Sequence, residues 1–325
     1  MSENATFSAE LAPEMAALMQ RVVREDGPQP DPTTLPPAEG RRLAAAGNHR
    51  WNVALPEMAI SREIVVPANE DLGTPAIRCR LHVPPEARPG VIVFVHGGGF
   101  SFCSPETHER CARMLAVEAG LAVLLPDYRL APEHAFPSGL TDVAATLRAL
   151  PMLAKAAGLA ADPLFLAGDS AGANLALAGL IHEMRAGRPV AASGALLFYG
   201  NYDADFDSPS FRFFAEGPGL TRAKMQRYWR FYVADRDMRG DALACPVFAE
   251  PAELAALPPL HLMAAAVDPL LSDTLALQSR LAAAGRNERA AIVPGVVHGF
   301  LQMTNDLPQA LEAIAAAGRF VRHHS

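Results

Sequence analysis

Cysteine is scarce: the 325 residues hold four, Cys79, Cys103, Cys111 and Cys245. Their spacing matches no metal-ligand pattern and they are too few for a disulfide scaffold, so they read as reduced thiols. Charge is scarce too, at 19% of residues against roughly 25% in an average globular chain. There is no Lys/Arg block and the net charge is −7, which argues against nucleic acid or an anionic membrane as the main partner. No uninterrupted apolar run nears the ~18 residues needed to cross a bilayer, so no stable membrane insertion is expected. The opening MSENATFSAELAPEM lacks the basic and apolar regions of a secretory leader, and the expected location is the cytoplasm. What abounds is apolar surface, 50% of residues. That supports a sizeable core and excludes disordered and fibrous classes. At about 150 residues per domain the length fits two domains or one large α/β unit.

The first fifty residues stand apart. Leu11, Met15, Leu18 and Val22 share one face of a helical pattern. Pro28, Pro30, Pro32, Pro36 and Pro37 then force an extended connector, and a second helical patch covers 38–46. From about residue 60 the pattern alternates. Strands are expected at 62–66, 77–83, 91–95, 122–125, 164–167, 195–199, 260–266 and 290–293, and helices at 110–119, 140–150, 173–185, 274–284 and from 307 to about 321. The central strands are apolar throughout, as parallel strands covered on both faces must be. A doubly wound, mostly parallel sheet follows. Only the aromatic-rich stretch at about 201–250 breaks the alternation, and an insertion there would sit over the ligand crevice.

The sharpest chemical signal is Gly168-Asp169-Ser170-Ala171-Gly172. It lies between a strand and a helix, the context that a G-x-S-x-G nucleophile elbow requires. The second is His96-Gly97-Gly98-Gly99-Phe100, directly after a strand. A tight turn explains one or two of those glycines but not three. Their bare N–H groups and that of Ala171 make an oxyanion hole. A phosphate loop is the rival, but no Lys-Ser/Thr follows and G-x-G-x-x-G is unmatched. A serine nucleophile needs a base and the base an orienting acid, in the chain order serine, acid, histidine for this elbow. His298 alone follows the last strand in a loop. His182 and His261 fall within predicted elements, and His323 and His324 lie at the terminus. Asp268 stands at a strand end, with Asp273, in the first turn of the next helix, as the fallback. The acidic runs at 203–207 and 235–240 fail the EF-hand pattern at position 12, with Phe214 and Pro246 there, and read as solvated loops. His182-Glu183 lacks the second histidine of a zincin. No metal is expected.

These motifs, HGGGF, Asp127 to His134 (DYRLAPEH), GDSAG, DPL and HGF, together resemble the bacterial hormone-sensitive-lipase-like (family IV) esterases of the α/β-hydrolase superfamily. The resemblance runs from about residue 60 to the end. It implies an α/β-hydrolase fold, an eight-stranded mostly parallel sheet with helices on both faces and a helical cap. The cap would be built from residues 1–50 and the insertion, and the catalytic domain would be 51–325. It implies a serine carboxylesterase for short- to medium-chain acyl esters, with Ser170, Asp268 and His298 as triad, an acyl-enzyme intermediate and no cofactor. By analogy Gly98 and Gly99 donate beside Ala171, Gly97 shapes the turn, His96 is scaffold, and 127–133 braces the loop. Two departures, Tyr199-Gly200-Asn201-Tyr202 for a Tyr-Pro pair and Cys245-Pro246 for Ser-Pro, are expected near the cap and bear on substrate preference. The same triad would serve an amidase or a natural-product deacetylase. A receptor on this fold is the remaining reading, disfavoured because His298 is present. The partner is then a small-molecule ester, and the chain is compatible with a homodimer. Phe100, Phe211, Phe214 and Trp229 are the candidate pocket lining, with the stripe of residues 11–22 packing on the last three to close the cap over Ser170.

Overall fold

Eight apolar runs become eight strands of one sheet in the computed structural model, which describes residues 7–235 and 237–325. Residues 1–6 of the amino-terminal segment and Arg236 of the 235–240 run lie outside the described residues. The strands are β1 (Ile60–Val66), β2 (Ile77–Val83), β3 (Val91–Val95), β4 (Ala122–Pro126), β5 (Leu164–Asp169), β6 (Gly194–Phe198), β7 (Leu260–Val267) and β8 (Ala291–Val297). Their order is β1-β2-β4-β3-β5-β6-β7-β8. At one edge β1 pairs antiparallel with β2 and β2 antiparallel with β4, and the remaining pairings are parallel. Expected and observed strands agree to within a few residues, the largest extension being at β8.

β3 shows why its run is apolar without alternation. Val91, Val93 and Val95 face one core with α4 (Ser138–Ala156) and α5 (Ala171–Arg185). Ile92 and Phe94 face the other with α3 (Glu109–Ala119) and α10 (Pro308–His324). Side chains alternate between faces, and here both faces are covered. α9 (Leu271–Ala283) sends Leu277 and Leu281 into the first core. The α10 helix continues through His323 to His324, beyond the expected end at about 321. Among the described residues no helix is long and apolar enough to cross a membrane.

The amino-terminal helices α1 (Pro13–Asp26) and α2 (Pro37–Asn48) flank the proline connector, as the pattern requires. The stripe meets the insertion at Phe214 but not at the other two expected rings. Met15 shares a core with Phe214, β8 and α10, and Ala12 N–H donates to Gly295 O at 2.9 Å. Phe211 and Trp229 belong to the opposite core. The connector reaches the insertion as well, at α7 (Arg222–Tyr232). There Arg227 pairs with Asp31 and donates to Thr33 Oγ1 at 2.5 Å.

The edge of the sheet carries a pH-dependent element. His82 on β2 is fully buried, with Ser61 Oγ 3.1 Å from Nδ1 and no partner for Nε2 among the described residues. Burial, and then Arg113 beside it, push its pKa down to about 4, with Glu109 opposing. A histidine depressed in the folded state binds its proton in the unfolded chain first, so its contribution is full above pH ~6.5 and is lost as pH falls towards the folded value. The His82→Gln variant lacks that linkage. Its stability relative to wild type should therefore improve by about 1.4 kcal/mol per pH unit between pH 6 and 4.5. Urea unfolding of both proteins across that range measures it, and a constant difference would show that His82 is not buried neutral.

Candidate active site

Four strand ends converge, all at the carboxyl edge of the parallel sheet, where such folds place their ligands. β5 delivers Ser170, β3 the glycine loop, β7 Asp268 and β8 His298. Ser170 has φ 54° and ψ −121°, a region that L-residues rarely adopt. The turn is held by Ser170 N–H donating to Phe198 O at 2.9 Å and Asn201 N–H donating to Ser170 O at 3.2 Å. Gly172 is required by close approach, since a Cβ there would lie 2.0 Å from Val95 O. The packed turn leaves Ser170 7% exposed.

His298 bridges the other two residues. Its Nε2 is 2.9 Å from Ser170 Oγ and its Nδ1 is 2.7 Å from Asp268 Oδ2. Asp268 is fully buried, and its second oxygen accepts the Leu270 N–H at 2.9 Å. The fallback acid goes elsewhere. Asp273 Oδ2 accepts the N–H groups of Tyr202 and Asp203, each at 3.0 Å. Burial, with Asp203 next, pushes its carboxyl well above the usual range. It ties the insertion's first turn to α9 rather than capping its own helix. His182 lies 2.9 Å from Glu183 and His261 lies within β7.

In the glycine loop, Gly98 and Gly99 have φ 115° and 58°. Their N–H groups donate to no acceptor among the described residues. Ala171 opens α5, so its N–H has no intrahelical acceptor either. The loop is braced from behind. Tyr128 O–H donates to His96 O at 2.9 Å and Ala131 N–H to Phe100 O at 2.9 Å. His96 stacks on Tyr128 with ring centres 4.3 Å apart. Burial, then nearby His108, push its pKa down to about 3, which fits a scaffold role. From the cap, Tyr228 covers Gly99, where a Cβ would lie 2.3 Å from its ring.

The aromatic candidates sit differently from the sequence expectation. Phe100, Phe211, Phe214 and Trp229 are each at most 1% exposed. At that exposure they stand behind the surface of the site rather than lining an opening. Phe100 stacks on Tyr232 with ring centres 3.7 Å apart and meets Trp229 edge-on. The 199–202 turn also lies nearer the triad than expected. Tyr199 packs edge-on to His298 at 4.9 Å, and Asn201 accepts from Trp229 Nε1 at 3.2 Å. Of the acidic runs, Asp205 and Asp207 are exposed, but Asp203 is partly buried and burial raises its carboxyl. Among the described residues no group of His, Cys, Asp or Glu is arranged to hold a metal ion.

Sequence reading missed the polar groups beneath the loop. Asp169, inside the elbow motif, accepts the Gly97 N–H at 2.8 Å. His108 and Tyr199 approach the same carboxylate at 3.2 and 3.5 Å. The only available signal was an acid beside the serine, and nothing local ties it to residue 97 or 108.

Residues 92–302 match a family described as having the alpha/beta hydrolase fold. The chain is 35% identical to Carboxylesterase NlhH of Mycobacterium tuberculosis over 293 residues, which is 87% of this chain and 89% of that one. Among solved structures it is similar to an ester hydrolase from the metagenome of Lake Arreo, solved with a bipyridine phosphonate derivative. There the TM-score is 0.88 at 31% identity, covering 96% of this chain and 99% of that one. It is also similar to a thermostable esterase from Pseudomonas putida, with TM-score 0.88 at 26% identity over 98% and 99% of the two chains.

Proposed function

The chain belongs to the α/β-hydrolase family, in its hormone-sensitive-lipase-like branch, and we propose that it cleaves short- to medium-chain acyl esters through Ser170, His298 and Asp268. Carboxylic ester hydrolysis is its activity. One observation carries the assignment of residues: His298 spans the serine and the buried acid at 2.9 and 2.7 Å. Ser170 Oγ attacks the ester carbonyl while His298 Nε2 takes its proton. Asp268 holds Nδ1–H and stabilises the imidazolium. The carbonyl oxygen, now negative, meets the N–H groups of Gly98, Gly99 and Ala171, donors that are fixed before reaction and therefore need no reorganisation. Collapse expels the alcohol, which takes the proton from His298 and leaves an acyl group on Ser170. Water then attacks with His298 again as base, and collapse releases the acid and restores the serine O–H.

Chain-length preference follows from the closed aromatic packing. Each methylene buried is worth about 0.8 kcal/mol, but only where space exists to receive it. With the four rings packed shut, a long chain must first displace them. A panel of p-nitrophenyl esters from acetate to dodecanoate, with the anilide of a well-cleaved acid, tests both points. The expected result is a kcat/KM maximum among the short and medium esters, a fall towards dodecanoate and far slower anilide cleavage. Absence of ester turnover would remove the assignment, and faster anilide cleavage would make the protein an amidase.

A further inference from the structure

Beneath the glycine loop lies a buried polar chain that the acyl-transfer mechanism does not use. It begins at Gly97, whose N–H donates to Asp169 Oδ1 at 2.8 Å. His108 Nε2 stands 3.2 Å from the same oxygen, and both side chains are almost fully buried, at 0% and 4% exposure. Gln302 Nε2 lies 3.0 Å from that ring nitrogen. Gln302 Oε1 in turn accepts from Asn48 Nδ2 at 2.8 Å, at the end of α2. On its other side His108 Nδ1 is 3.0 Å from Thr107 Oγ1, which donates to Ser104 O at 2.8 Å.

Each link belongs to a different part of the site. Gly97 precedes the two glycine donors, and Asp169 is bonded in the chain to the nucleophile, two residues before the third donor, Ala171. Gln302 ends the short 3-10 turn that follows His298 and Gly299, and Asn48 belongs to the amino-terminal helices. A single carboxylate thus joins both halves of the oxyanion hole, and His108 joins that carboxylate to the segment carrying the base. Burial works to raise the Asp169 carboxyl. His108 and the Gly97 N–H outweigh it, so the carboxyl sits below its ordinary range and stays an acceptor. A buried carboxylate that lost a partner would turn or draw in water, and the glycine loop would turn with it.

We infer that His108 is a positioning residue that acts through Asp169, holding the Gly97 loop at the spacing from the serine elbow at which the glycine and Ala171 N–H groups converge on the oxyanion. The inference rests on the acyl-transfer reading above. Small misplacement of transition-state donors costs on the order of 100-fold in rate, and it does so in kcat, because the substrate carbonyl is bound before the charge develops. His108→Phe keeps a ring of similar size and removes both nitrogens. The full-length variant should lose about 100-fold in kcat with KM unchanged. Its affinity for a trifluoromethyl ketone, which forms a serine adduct bearing the oxyanion, should fall by the same factor, and its affinity for the carboxylate product should hold. His108→Gln, which can return a polar atom near Nε2, should recover part of kcat. Gln302→Met, at a partly exposed position, gives a second reading if the Phe variant does not fold, with a smaller loss again confined to kcat. A folded His108→Phe protein with wild-type kcat and ketone affinity would overturn the proposal while leaving ester hydrolysis intact. So would losses confined to KM, or a Gln302→Met protein with unchanged kcat where the Phe variant fails to fold. Wild-type protein inactive on every ester would bring down the reading of the site itself, and this proposal with it.

Discussion

Replacing Ser170 with alanine should lower kcat/KM on p-nitrophenyl butanoate by 10⁴- to 10⁶-fold, about the range for loss of the nucleophile in this chemistry. The fold should not change. Alanine is as strained as serine at φ 54°, so the elbow's cost of ~1–3 kcal/mol is common to both. The bonds that hold the turn, Ser170 N–H to Phe198 O and Asn201 N–H to Ser170 O, are backbone at position 170 and survive the substitution. What disappears is the hydroxyl 2.9 Å from His298 Nε2. Residual rate would come from substrate binding and the oxyanion donors alone. The measurement is steady-state turnover with circular dichroism on the same preparations. A folded variant that keeps more than about a tenth of wild-type kcat/KM would move the nucleophile elsewhere.

The fold and the gathering of Ser170, His298 and Asp268 were legible in the sequence for a common reason. Strands buried on both faces must be apolar at every position, as 91–95 are, and the runs stand out against the helices around them. The elbow advertises itself because Gly172 is dictated by a backbone carbonyl 2.0 Å from where a Cβ would sit. His298 and Asp268 were found by order and by place at strand ends. The supporting chemistry left no such mark. Asp169 and His108 are 61 positions apart (169 − 108) and meet because β5 pairs with β3, while residues 105–108 form the turn that feeds α3. No periodicity reports a contact of that kind. The cap was misread for a related reason. The apolar stripe on α1 does need a partner, but an amphipathic pattern states only that a face is buried, not against what. It found β8, α10 and Phe214, while Trp229 packs against Phe100 and Tyr232 and Phe211 against Phe206. The insertion's rings read as pocket lining because composition cannot tell a ring that lines a pocket from one packed beneath it.

Asp268→Asn should cost on the order of 10⁴ in kcat at neutral pH with the fold intact, and the geometry gives the reason. Asp268 uses both oxygens: one accepts the Leu270 N–H at 2.9 Å and the other faces His298 Nδ1 at 2.7 Å. An asparagine in that fully buried position has one acceptor. The backbone N–H of Leu270 cannot rotate away, so it claims the amide oxygen and turns the NH₂ towards His298. Nδ1 must then accept rather than donate, and the imidazole carries its proton on Nε2, aimed at Ser170 Oγ. A base protonated on the side of its nucleophile cannot take the serine proton. Asp273→Asn is the control. Burial already holds that carboxyl towards its neutral form, so an amide replaces it closely, its oxygen able to receive the Tyr202 and Asp203 N–H groups. Turnover should stay near wild type in that variant and collapse in the other. Reversed outcomes, with Asp268→Asn active and Asp273→Asn inactive, would exchange the roles of the two acids. Loss in both would mean that the 199–202 turn, which Asp273 anchors and which carries Tyr199 against His298, positions the base as strictly as Asp268 does.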